Sequence, residues 1–298
     1  MKGFINYAQT YHLGDISLNQ SFKNLTTLKI GGAIKCVFYP YTKDTLREAY
    51  RYIIDHQLPY FVIGGGSNLL ASDEEYNGIV ISMKKIRNFH WIDEETIYLD
   101  AGVYASAIAR YISSNGVEGA EFMSVIPGMI GGLIYMNAGA YHREIKDCLI
   151  SADYLDANAN VVTIEDCKFS YRDSIFRHIP SIILGGTFRF KKTNNQDEIK
   201  RKLELYYQIK RDHQPIDKRS AGSTFHNPKD IKAWEVIDKL GFRGYQIGGA
   251  KVSEKHANFL INEGNATFDD MMELIHKIKT EAKSKLNIDL NCEWIIRK

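Results

Sequence analysis

Residues 126–141, IPGMIGGLIYMNAGAY, constrain the fold more than any other stretch of the sequence. Apart from the two tyrosines, the only polar side chain among them is that of Asn137, and it is surrounded by small residues. Those small residues are Gly128, Gly131, Gly132, Ala138, Gly139 and Ala140. Glycine gives up packing and costs backbone entropy, so it usually marks a positive φ or a close approach by backbone or ligand. Exposed amides in such loops bind phosphate well. The stretch indicates a phosphate cradle, and a pair of tight turns beside a packed helix is the alternative.

A second glycine cluster, Gly64-Gly65-Gly66-Ser67-Asn68, follows the apolar run 60–63. A loop at the end of a strand is a common nucleotide site in α/β sheets. The cluster is not a dinucleotide fingerprint, because Leu69 holds the position of the third glycine, and it lacks the Gly-Lys-Ser/Thr of a Walker A motif. A plain turn would explain one such cluster. Together with the first stretch and residues 26–32, TTLKIGG, it favours a nucleotide cradle.

Composition limits the class of protein. A length of 298 residues predicts two or three domains. The formal charge of +2 gives no general basic surface, so nucleic acid is not an expected partner. The beginning, MKGFINYAQTYHLGD, has no apolar signal segment, and no later stretch is long enough to cross a bilayer. We therefore expect a cytoplasmic protein without a membrane partner. The sequence gives no indication of the oligomeric state.

The cysteines point to the same compartment. They are far apart in the sequence and form no C-x-x-C pair, which favours reduced thiols over a disulfide framework or a zinc site. No metal is predicted. The four are Cys36, Cys148, Cys167 and Cys292.

Periodicity predicts an α+β architecture. A strand at 35–39, a helix opened by Thr42 and a strand before Gly64 form a βαβ unit. Strands near 79–82 and 96–99 and a helix from about 104, closed by Gly116, begin a second region. Segments 151–156, 161–164 and 181–190 predict a small antiparallel sheet. The charged pattern at 196–211 indicates a surface helix or connector.

The last hundred residues have the pattern of a separate unit. Thr267 and Asp270 form a variant of the capping box at the start of a helix. An apolar stripe predicts the buried face of that helix. Its members are Met271, Leu274, Ile275, Ile278 and Ala282.

Two further motifs are candidates for chemistry, YRDSIF at 171–176 and AGSTFHNP at 221–228. Arg172 could instead pair with a surface acid, and Ser223 could cap a following helix. The segment around Ser223 lacks the G-x-S-x-G spacing of a serine hydrolase elbow.

In combination these strings resemble the UDP-N-acetylenolpyruvoylglucosamine reductase (MurB) family of flavoenzymes. They occur in family order from about Thr26 to the end of the chain, in the branch without an extra tyrosine-bearing loop. The matching strings are TLKIGG, IGGGSNLL, IPGMIGG, MNAGAY, YRDSIF, AGSTFHNP, YQIGGAKVSEKHANFLIN and LNCE. The resemblance implies an α+β fold with a two-lobed FAD-binding region of the vanillyl-alcohol-oxidase type and a smaller α+β substrate domain. The expected divisions are 1–77 for lobe 1, 78–192 for lobe 2 and 193–298 for the substrate domain, whose C-terminal tail returns to the active site.

The resemblance also implies an activity. It is the NADPH-dependent reduction of the enolpyruvyl group of UDP-N-acetylglucosamine enolpyruvate to UDP-N-acetylmuramate in peptidoglycan synthesis. FAD is the expected cofactor, NADPH the hydride donor and a UDP-sugar nucleotide the substrate. The alternatives are a different FAD-dependent oxidoreductase of the same fold and a noncatalytic nucleotide-binding or cell-wall scaffold.

Three groups of site residues follow from the resemblance. The FAD-binding group is Gly64, Gly65, Gly66, Ser67, Asn68, Gly128, Gly131, Gly132, Asn137 and Ala138. The substrate-binding group is Tyr171, Asn227, Arg243, Lys251, Lys255 and His213. Arg172, Ser223 and Glu293 fall on the catalytic positions. An arginine can hold a carboxylate bidentately and stabilise developing enolate charge. Ser223 would donate a proton as general acid, and Glu293 could donate one only if burial raised its pKa.

Overall fold

The structure, a computed structural model, describes all residues 1–298 and divides into two compact units. Each unit is assembled from separated segments. Unit 1 contains Met1–Leu18, Lys35–Gly65 and Asn77–Gln208, and unit 2 contains Asn19–Ile34, Gly66–Tyr76 and Ile209–Lys298. Segments 19–34 and 66–76, which fall inside the predicted first lobe, are therefore part of unit 2. The predicted division into two lobes and a substrate domain stays a prediction.

The chain forms eight α-helices and twenty strands, with short 3₁₀ segments between them. The helices are α1 Lys2–Thr10, α2 Phe22–Leu25, α3 Lys43–Asp55, α4 Ala105–Ser114, α5 Ile130–Tyr135, α6 Gln196–His213, α7 Ala233–Lys239 and α8 Phe268–Leu286. The first ten strands are β1 Gly14–Ser17, β2 Gln20–Ser21, β3 Ala33–Pro40, β4 Tyr60–Ile63, β5 Leu69–Ala71, β6 Tyr76–Ser82, β7 Phe89–Trp91, β8 Thr96–Asp100, β9 Val117–Glu118 and β10 Gly139–Ala140. The others are β11 Arg143–Glu144, β12 Leu149–Leu155, β13 Val161–Ile164, β14 Ile182–Arg189, β15 Lys191–Lys192, β16 Arg219–Ser220, β17 Gln246–Ile247, β18 Ala250–Val252, β19 Leu260–Asn262 and β20 Ile295–Arg297.

The first sheet of unit 1 has the strand order β1-β3-β6-β4. The predicted strand–helix–strand unit is present as β3, α3 and β4, with β6 between its two strands. Helix α3 begins at a capping box in which the Thr42 hydroxyl accepts from the Thr45 amide at 3.1 Å. Its buried positions Leu46, Ala49, Tyr50 and Ile53 follow the spacing of one helical face. Because β4 ends at Ile63, the second glycine cluster, residues 64–68, leaves the sheet at the end of a strand, as predicted.

The second sheet of unit 1 is antiparallel, with the order β13-β12-β14-β8-β7. It contains the three strands that the sequence predicted between residues 151 and 190. Helix α4 ends at Ser114, and Gly116 follows with φ of +75°, which confirms its predicted place after the helix end. A continuous apolar cluster, including Phe38, Leu99 and Phe188, forms the core of this unit.

Unit 2 is built on the antiparallel sheet β16-β19-β18-β17 and on α7 and α8. Helix α8 begins at the predicted capping box of Thr267 and Asp270, and its buried stripe has the five predicted members. Strand β20, near the C-terminus, pairs in parallel with β5, so the end of the chain is fixed against residues 69–71. Unit 2 has its own apolar core, which includes Phe225, Leu260 and Leu274.

Helix α6 buries only Ile199, as expected of a surface helix. No helix combines the length and the apolar composition that crossing a bilayer requires.

Candidate active site

The two glycine loops predicted to bind FAD meet within unit 1. A side chain at Gly65 would place its Cβ 3.1 Å from the Cα of Gly128, so the two backbones pass at a distance that only glycine allows comfortably. Gly128 has φ of +132°, which also favours glycine. A Cβ at Gly64 would make only an ordinary contact of 3.6 Å with Met129, and one at Gly132 would meet nothing within 4 Å. The backbone at Gly64 and Gly132 is therefore open to a neighbouring molecule.

Other glycines of these loops serve the fold. Gly131 lies against Ala101, whose carbonyl accepts from the Gly131 amide at 2.9 Å. In unit 2, a Cβ on Gly66 would lie 2.1 Å from the Leu25 carbonyl oxygen, and the Gly66 carbonyl accepts from the Thr27 amide at 3.1 Å. Gly66 is thus needed because the stretch TTLKIGG passes directly beside it.

Ser67 and Asn68 also lie in unit 2, where both are partly buried. The Asn68 side chain donates to the Glu293 carbonyl at 3.2 Å, and the Asn68 carbonyl accepts from the Ile295 amide at 3.0 Å. The second glycine cluster therefore holds the segment that carries one of the predicted catalytic residues.

Asn137 is fully buried and its side-chain amide makes three hydrogen bonds. Its Nδ2 donates to Glu144 Oε2 at 3.1 Å and to the Ser170 carbonyl at 2.8 Å, and its Oδ1 accepts from the Lys146 amide at 3.0 Å. Its φ of +41° lies in the left-handed region that asparagine tolerates better than most residues. The side chain of Asn137 is thus occupied by the protein, and it ties the MNAGAY stretch to the YRDSIF stretch.

Ala138 is similarly occupied through its backbone. Its amide donates to the Leu133 carbonyl at 2.9 Å, and its carbonyl accepts from the Ile145 amide at 3.1 Å. Any contact of Ala138 with a cofactor would therefore involve its methyl group.

Arg172 belongs to the same cluster in unit 1. Its Nη2 donates to the Gly139 carbonyl at 3.0 Å, and its Nη1 lies 3.7 Å from Glu144 Oε1. The guanidinium lies 5.1 Å from the ring centroid of Tyr171, which is 47% exposed. Arg172 itself has φ of +56°, an unfavourable backbone conformation for a long side chain. Strain of this kind persists where surrounding contacts fix it, and here those contacts fix the guanidinium.

The cluster contains charges of both signs. Glu144 is paired with both Arg172 and Lys146, whose Nζ lies 2.8 Å from Glu144 Oε2. This contact raises the pKa of Lys146. Asp147 also acts electrostatically on Lys146, so two cations face two carboxylates, and the guanidinium of Arg172 is the group that suits an anionic carboxylate or a developing enolate. The sequence motifs did not indicate Glu144, although it lies only seven residues after Asn137.

Ser223 and Glu293 are carried by two paired segments of unit 2. Phe225 and Cys292 form an antiparallel bridge, and the Glu293 amide donates to the Thr224 carbonyl at 2.8 Å. Asn258 fixes the first segment by accepting from the Phe225 amide at 2.9 Å and donating to the Phe225 carbonyl at 2.8 Å. Asn258 was missed as a supporting residue, although the string KHANF contains it.

The second segment places Glu293 next to a histidine. His226 Nδ1 lies 3.8 Å from Glu293 Oε2, and the two side chains are 22% and 16% exposed. The predicted alternative for Ser223, capping of the following helix, is fulfilled by Asn227 instead, whose Oδ1 accepts from the Ala233 amide at 3.0 Å. Ser223 and Glu293 are thus carried by paired segments of unit 2, whereas Arg172 belongs to unit 1. Their convergence on one cleft stays a prediction.

The predicted substrate-binding cations of unit 2 also have protein partners. Arg243 pairs with Asp238 and donates to the Glu254 carbonyl, and Lys251 pairs with the Glu254 carboxylate at 2.7 Å. This pairing raises the pKa of Lys251. Arg243 and Lys251 are therefore neighbours around Glu254.

The other two cationic candidates lie at the C-terminal end of helix α6, where His213 is the last residue of the helix and Lys255 contacts it. Lys255 donates to the Arg211 carbonyl, and His213 Nδ1 lies 2.9 Å from the Ile209 carbonyl. Both make side-chain contacts to backbone oxygens near the end of that helix.

Comparison with known protein families gives two matches. Residues 34–165 match the FAD binding domain family, and residues 214–296 match the C-terminal domain of UDP-N-acetylenolpyruvoylglucosamine reductase. The first match covers both glycine loops, and the second covers Ser223 and Glu293. The glycine cradle of unit 1 fits the first match, because it is open at Gly64 and Gly132 where side chains would otherwise fill it.

Curated relatives are similar over nearly the whole chain. The UDP-N-acetylenolpyruvoylglucosamine reductase of Caldanaerobacter subterraneus subsp. tengcongensis is 39% identical over 93% of this chain and 92% of its own length. That of Petrotoga mobilis is 37% identical over 94% of each chain.

Solved structures agree with this. The MurB of Thermus caldophilus has a TM-score of 0.80 and 28% identity, covering 96% of this chain and 99% of its own. A variant of berberine bridge enzyme, a reticuline dehydrogenase, shares the fold over 64% of this chain and 43% of its own, with a TM-score of 0.51 and 14% identity. The predicted fold class is confirmed by these matches. With identity above 30% along nearly its full length, the chain belongs to the UDP-N-acetylenolpyruvoylglucosamine reductase family.

Proposed function

We propose that the protein is an FAD-dependent reductase that uses NADPH to convert UDP-N-acetylglucosamine enolpyruvate to UDP-N-acetylmuramate for peptidoglycan synthesis. The observation that carries the proposal is the backbone pairing of the Ser223 and Glu293 segments. It pairs the segment that carries a hydroxyl group with the segment that carries a carboxyl group, within a region that matches the C-terminal domain of the family. The family match and the FAD-binding domain match support the proposal independently of this geometry.

The proposed cofactor residues are those of the two glycine loops. FAD, when bound, supplies the hydride-transfer chemistry that links NADPH to the enolpyruvyl group. The open backbone at Gly64 and Gly132 would contact it directly, and the close approach of Gly65 and Gly128 shapes the cradle. Gly66, Ser67, Asn68, Gly131, Asn137 and Ala138 would support the cradle, as their internal hydrogen bonds and contacts indicate.

Arg172 would orient the enolpyruvyl carboxylate. Its planar guanidinium can bind a carboxylate through two parallel hydrogen bonds. In the structure it already has a carbonyl and a carboxylate as neighbours, so a substrate carboxylate would compete with Glu144 for it. The positive charge fixed there would be most useful when negative charge develops on the substrate during reduction.

Ser223 and Glu293 would take part in proton transfer to the substrate. Reduction of the enolpyruvyl double bond adds a hydride to the methylene carbon and a proton to the neighbouring carbon. The Ser223 Oγ would donate that proton, and a nearby charge must assist because a hydroxyl is a weak acid. Glu293, partly buried beside His226, would be the second candidate to donate a proton, to the developing enolate.

Six residues would bind the UDP-sugar. They are Arg243, Lys251, Lys255, His213, Asn227 and Tyr171. The protein would act in the cytoplasm, with lobes at 1–77 and 78–192 and a substrate domain at 193–298.

Anaerobic half-reactions test the proposal. The purified protein should be yellow, NADPH should bleach it, and UDP-N-acetylglucosamine enolpyruvate should restore the colour. Ser223→Ala should slow the second step by roughly a hundredfold to ten-thousandfold, the usual effect of losing a general acid, and leave the first nearly unchanged. Bleaching without recovery on addition of this substrate would instead support a different FAD-dependent oxidoreductase. A colourless protein would contradict both.

A further inference from the structure

Unit 1 contains a cavity of about 410 Å³ that the proposed function does not use. Cavities that hold small ligands usually measure roughly 300–1,000 Å³, so this one is large enough for a small metabolite. Most of its lining is charged. The charged residues are Glu118, Glu121, Arg143, Arg189, Lys191 and Lys202.

The charge balance of the lining favours an anion. Four of these residues are cationic and two are acidic. Glu118 is paired with Lys191 at 3.5 Å and with Lys202 at 3.9 Å. Arg143 and Arg189 have no carboxylate within ion-pair distance, and the Arg143 guanidinium lies over the ring of Phe122, at 5.7 Å from the centroid. Arg189 also lowers the pKa of Asp93 electrostatically, but neither guanidinium forms an ion pair, so both can bind a ligand in the cavity.

Glu121 gives a second, independent sign of a ligand. It is 4% exposed and lines the cavity. Its Oε2 accepts from the Gly119 amide at 2.7 Å, but its Oε1 is buried without a hydrogen-bond partner. A buried carboxylate oxygen without a donor is costly, and such groups usually have a partner in the functional state of a protein.

The cavity is distinct from the cluster around Arg172. Arg143 and Glu144 are consecutive residues of β11, and successive side chains of a strand point to opposite faces. Glu144 faces Arg172 and Asn137, whereas Arg143 lines the cavity. No residue of the two glycine loops lines it.

We infer that this cavity is a second ligand site, which binds a phosphate monoester that also carries a hydroxyl group. Arg143 and Arg189 would hold the phosphate, since guanidinium groups match phosphate oxygens bidentately. Glu121 Oε1 would accept a hydrogen bond from the hydroxyl after a small rotation of the carboxyl group, because solvent does not reach this oxygen in the structure. A phosphorylated polyol or sugar has both features within the size of the cavity.

Calorimetric titration of the FAD-loaded protein with glycerol 3-phosphate tests this, with inorganic phosphate as the probe that lacks the polyol hydroxyls. Glycerol 3-phosphate should bind saturably and more tightly than phosphate. The double variant Arg143→Gln, Arg189→Gln should weaken its binding roughly tenfold or more, because charge-assisted hydrogen bonds are lost. Arg201→Gln is the matched control, since Arg201 is an exposed arginine paired with Glu198 outside the cavity.

A third variant tests the hydroxyl contact without removing the arginines. Glu121→Gln keeps an oxygen for the Gly119 amide and replaces Oε1 by a donor, so it should abolish the preference for glycerol 3-phosphate over phosphate. Unchanged binding in the double variant would overturn the inference, because the probe would then bind elsewhere, for example at the proposed UDP site. No saturable binding at millimolar concentration, or an unchanged preference in Glu121→Gln, would also overturn it. These outcomes do not depend on the reductase activity.

Discussion

Phe225 and Cys292 are bridged through their backbones, although they lie in distant parts of the sequence. Two hydrogen bonds form the bridge, because the Glu293 amide donates to the Thr224 carbonyl at 2.8 Å and the His226 amide donates to the Asn291 carbonyl at 2.9 Å. Ser223 and Glu293 therefore lie on paired backbone segments and not on independent loops. The bridge lies outside the named strands, so these hydrogen bonds, and not a continuous sheet, fix the two segments relative to each other.

Glu293→Gln should separate the chemical role of this carboxyl from its place in the fold. The backbone pairing does not involve the side chain, so thermal unfolding should hardly change. Recovery of flavin colour by substrate should slow by roughly a hundredfold to ten-thousandfold if the carboxyl takes part in proton transfer. Stopped-flow absorbance of each half-reaction measures this.

A surface acid of the same unit provides the control. Glu263→Gln removes an exposed carboxylate paired with Lys218, at 3.4 Å, and should leave both half-reactions unchanged. If Glu293→Gln slowed NADPH oxidation as much as substrate reduction, a specific role in the second step would be excluded.

Asn137→Asp should destabilise unit 1 at neutral pH. The substitution keeps the shape but replaces the donor that lies 3.1 Å from Glu144 Oε2 by a second carboxylate. Loss of buried donors and a like-charge contact should lower the free energy of unfolding by about 2–4 kcal/mol, since an unsatisfied buried polar group costs roughly 1–3 kcal/mol. Because a protonated acid can again donate, the difference from the unmodified protein should shrink as the pH falls.

Chemical denaturation at several pH values checks this result. The exposed Asn194 gives the matched control, and Asn194→Asp should change stability by less than about 0.5 kcal/mol. Equal stability of Asn137→Asp and the unmodified protein at neutral pH would show that the amide does not hold the Arg172 cluster.

Helices with complete local signals could be predicted from the sequence. For α3 and α8 the capping residue and the apolar stripe occur in the same segment, so Thr42 and Thr267 mark their starts without any distant contact. The strands of unit 2 have two or three residues each, too few for an alternation pattern. Local patterns also do not show which distant segments pack together, and segments 19–34 and 66–76 were therefore not predicted to join the C-terminal residues.

The candidate site was predicted by its motifs but not by its contacts. The strings around Arg172 and Ser223 identify those residues through their resemblance to the family. The hydrogen bonds of Asn137 to Glu144 and Ser170 form where Asn137 and Arg172 have left-handed backbone conformations. No local sequence pattern indicates these conformations. Asn258 acts through two bonds to a residue 33 positions away, so only the folded chain reveals it.

The cysteines should be poorly reactive in the folded protein. Burial raises the pKa of Cys148 to about 12 and that of Cys292 to about 11. Burial also raises the pKa of Cys36 and of Cys167 to about 11. Because the thiolate is the reactive form, Ellman's reagent at pH 8 should react slowly with the native protein and at once with all four thiols in guanidinium chloride. Rapid reaction of one thiol in the native protein would contradict this, and Cys292 is the one to examine because it is the least buried of the four.

Asp270 should stabilise unit 2 above acid pH through its contacts at the start of α8. Its Oδ2 accepts from the Thr267 and Gly249 amides, both at 3.0 Å, and these bonds lower its pKa. A carboxyl whose pKa is lowered by folding stabilises the protein above its unfolded pKa, and this contribution is lost as the pH falls through the folded pKa. Asp270→Asn should therefore reduce the free energy of unfolding at pH 7 by about 1–2 kcal/mol, the usual effect of losing a helix cap.

The difference between the two proteins should decline as the pH falls below the ordinary aspartate pKa of about 3.9, where the unfolded carboxyl takes up a proton, and it should be lost once the pH is below the lowered pKa of the native carboxyl. Urea denaturation from neutral to acid pH measures the decline. Asp269→Asn is the matched control: it removes the same charge from the same helical turn, but Asp269 is exposed and accepts no hydrogen bond from the backbone. It should cost only the helix-dipole contribution, about 0.3–1 kcal/mol. Equal losses for the two variants would mean that the charge at the helix start, and not the bonds to Thr267 and Gly249, provides the stabilisation.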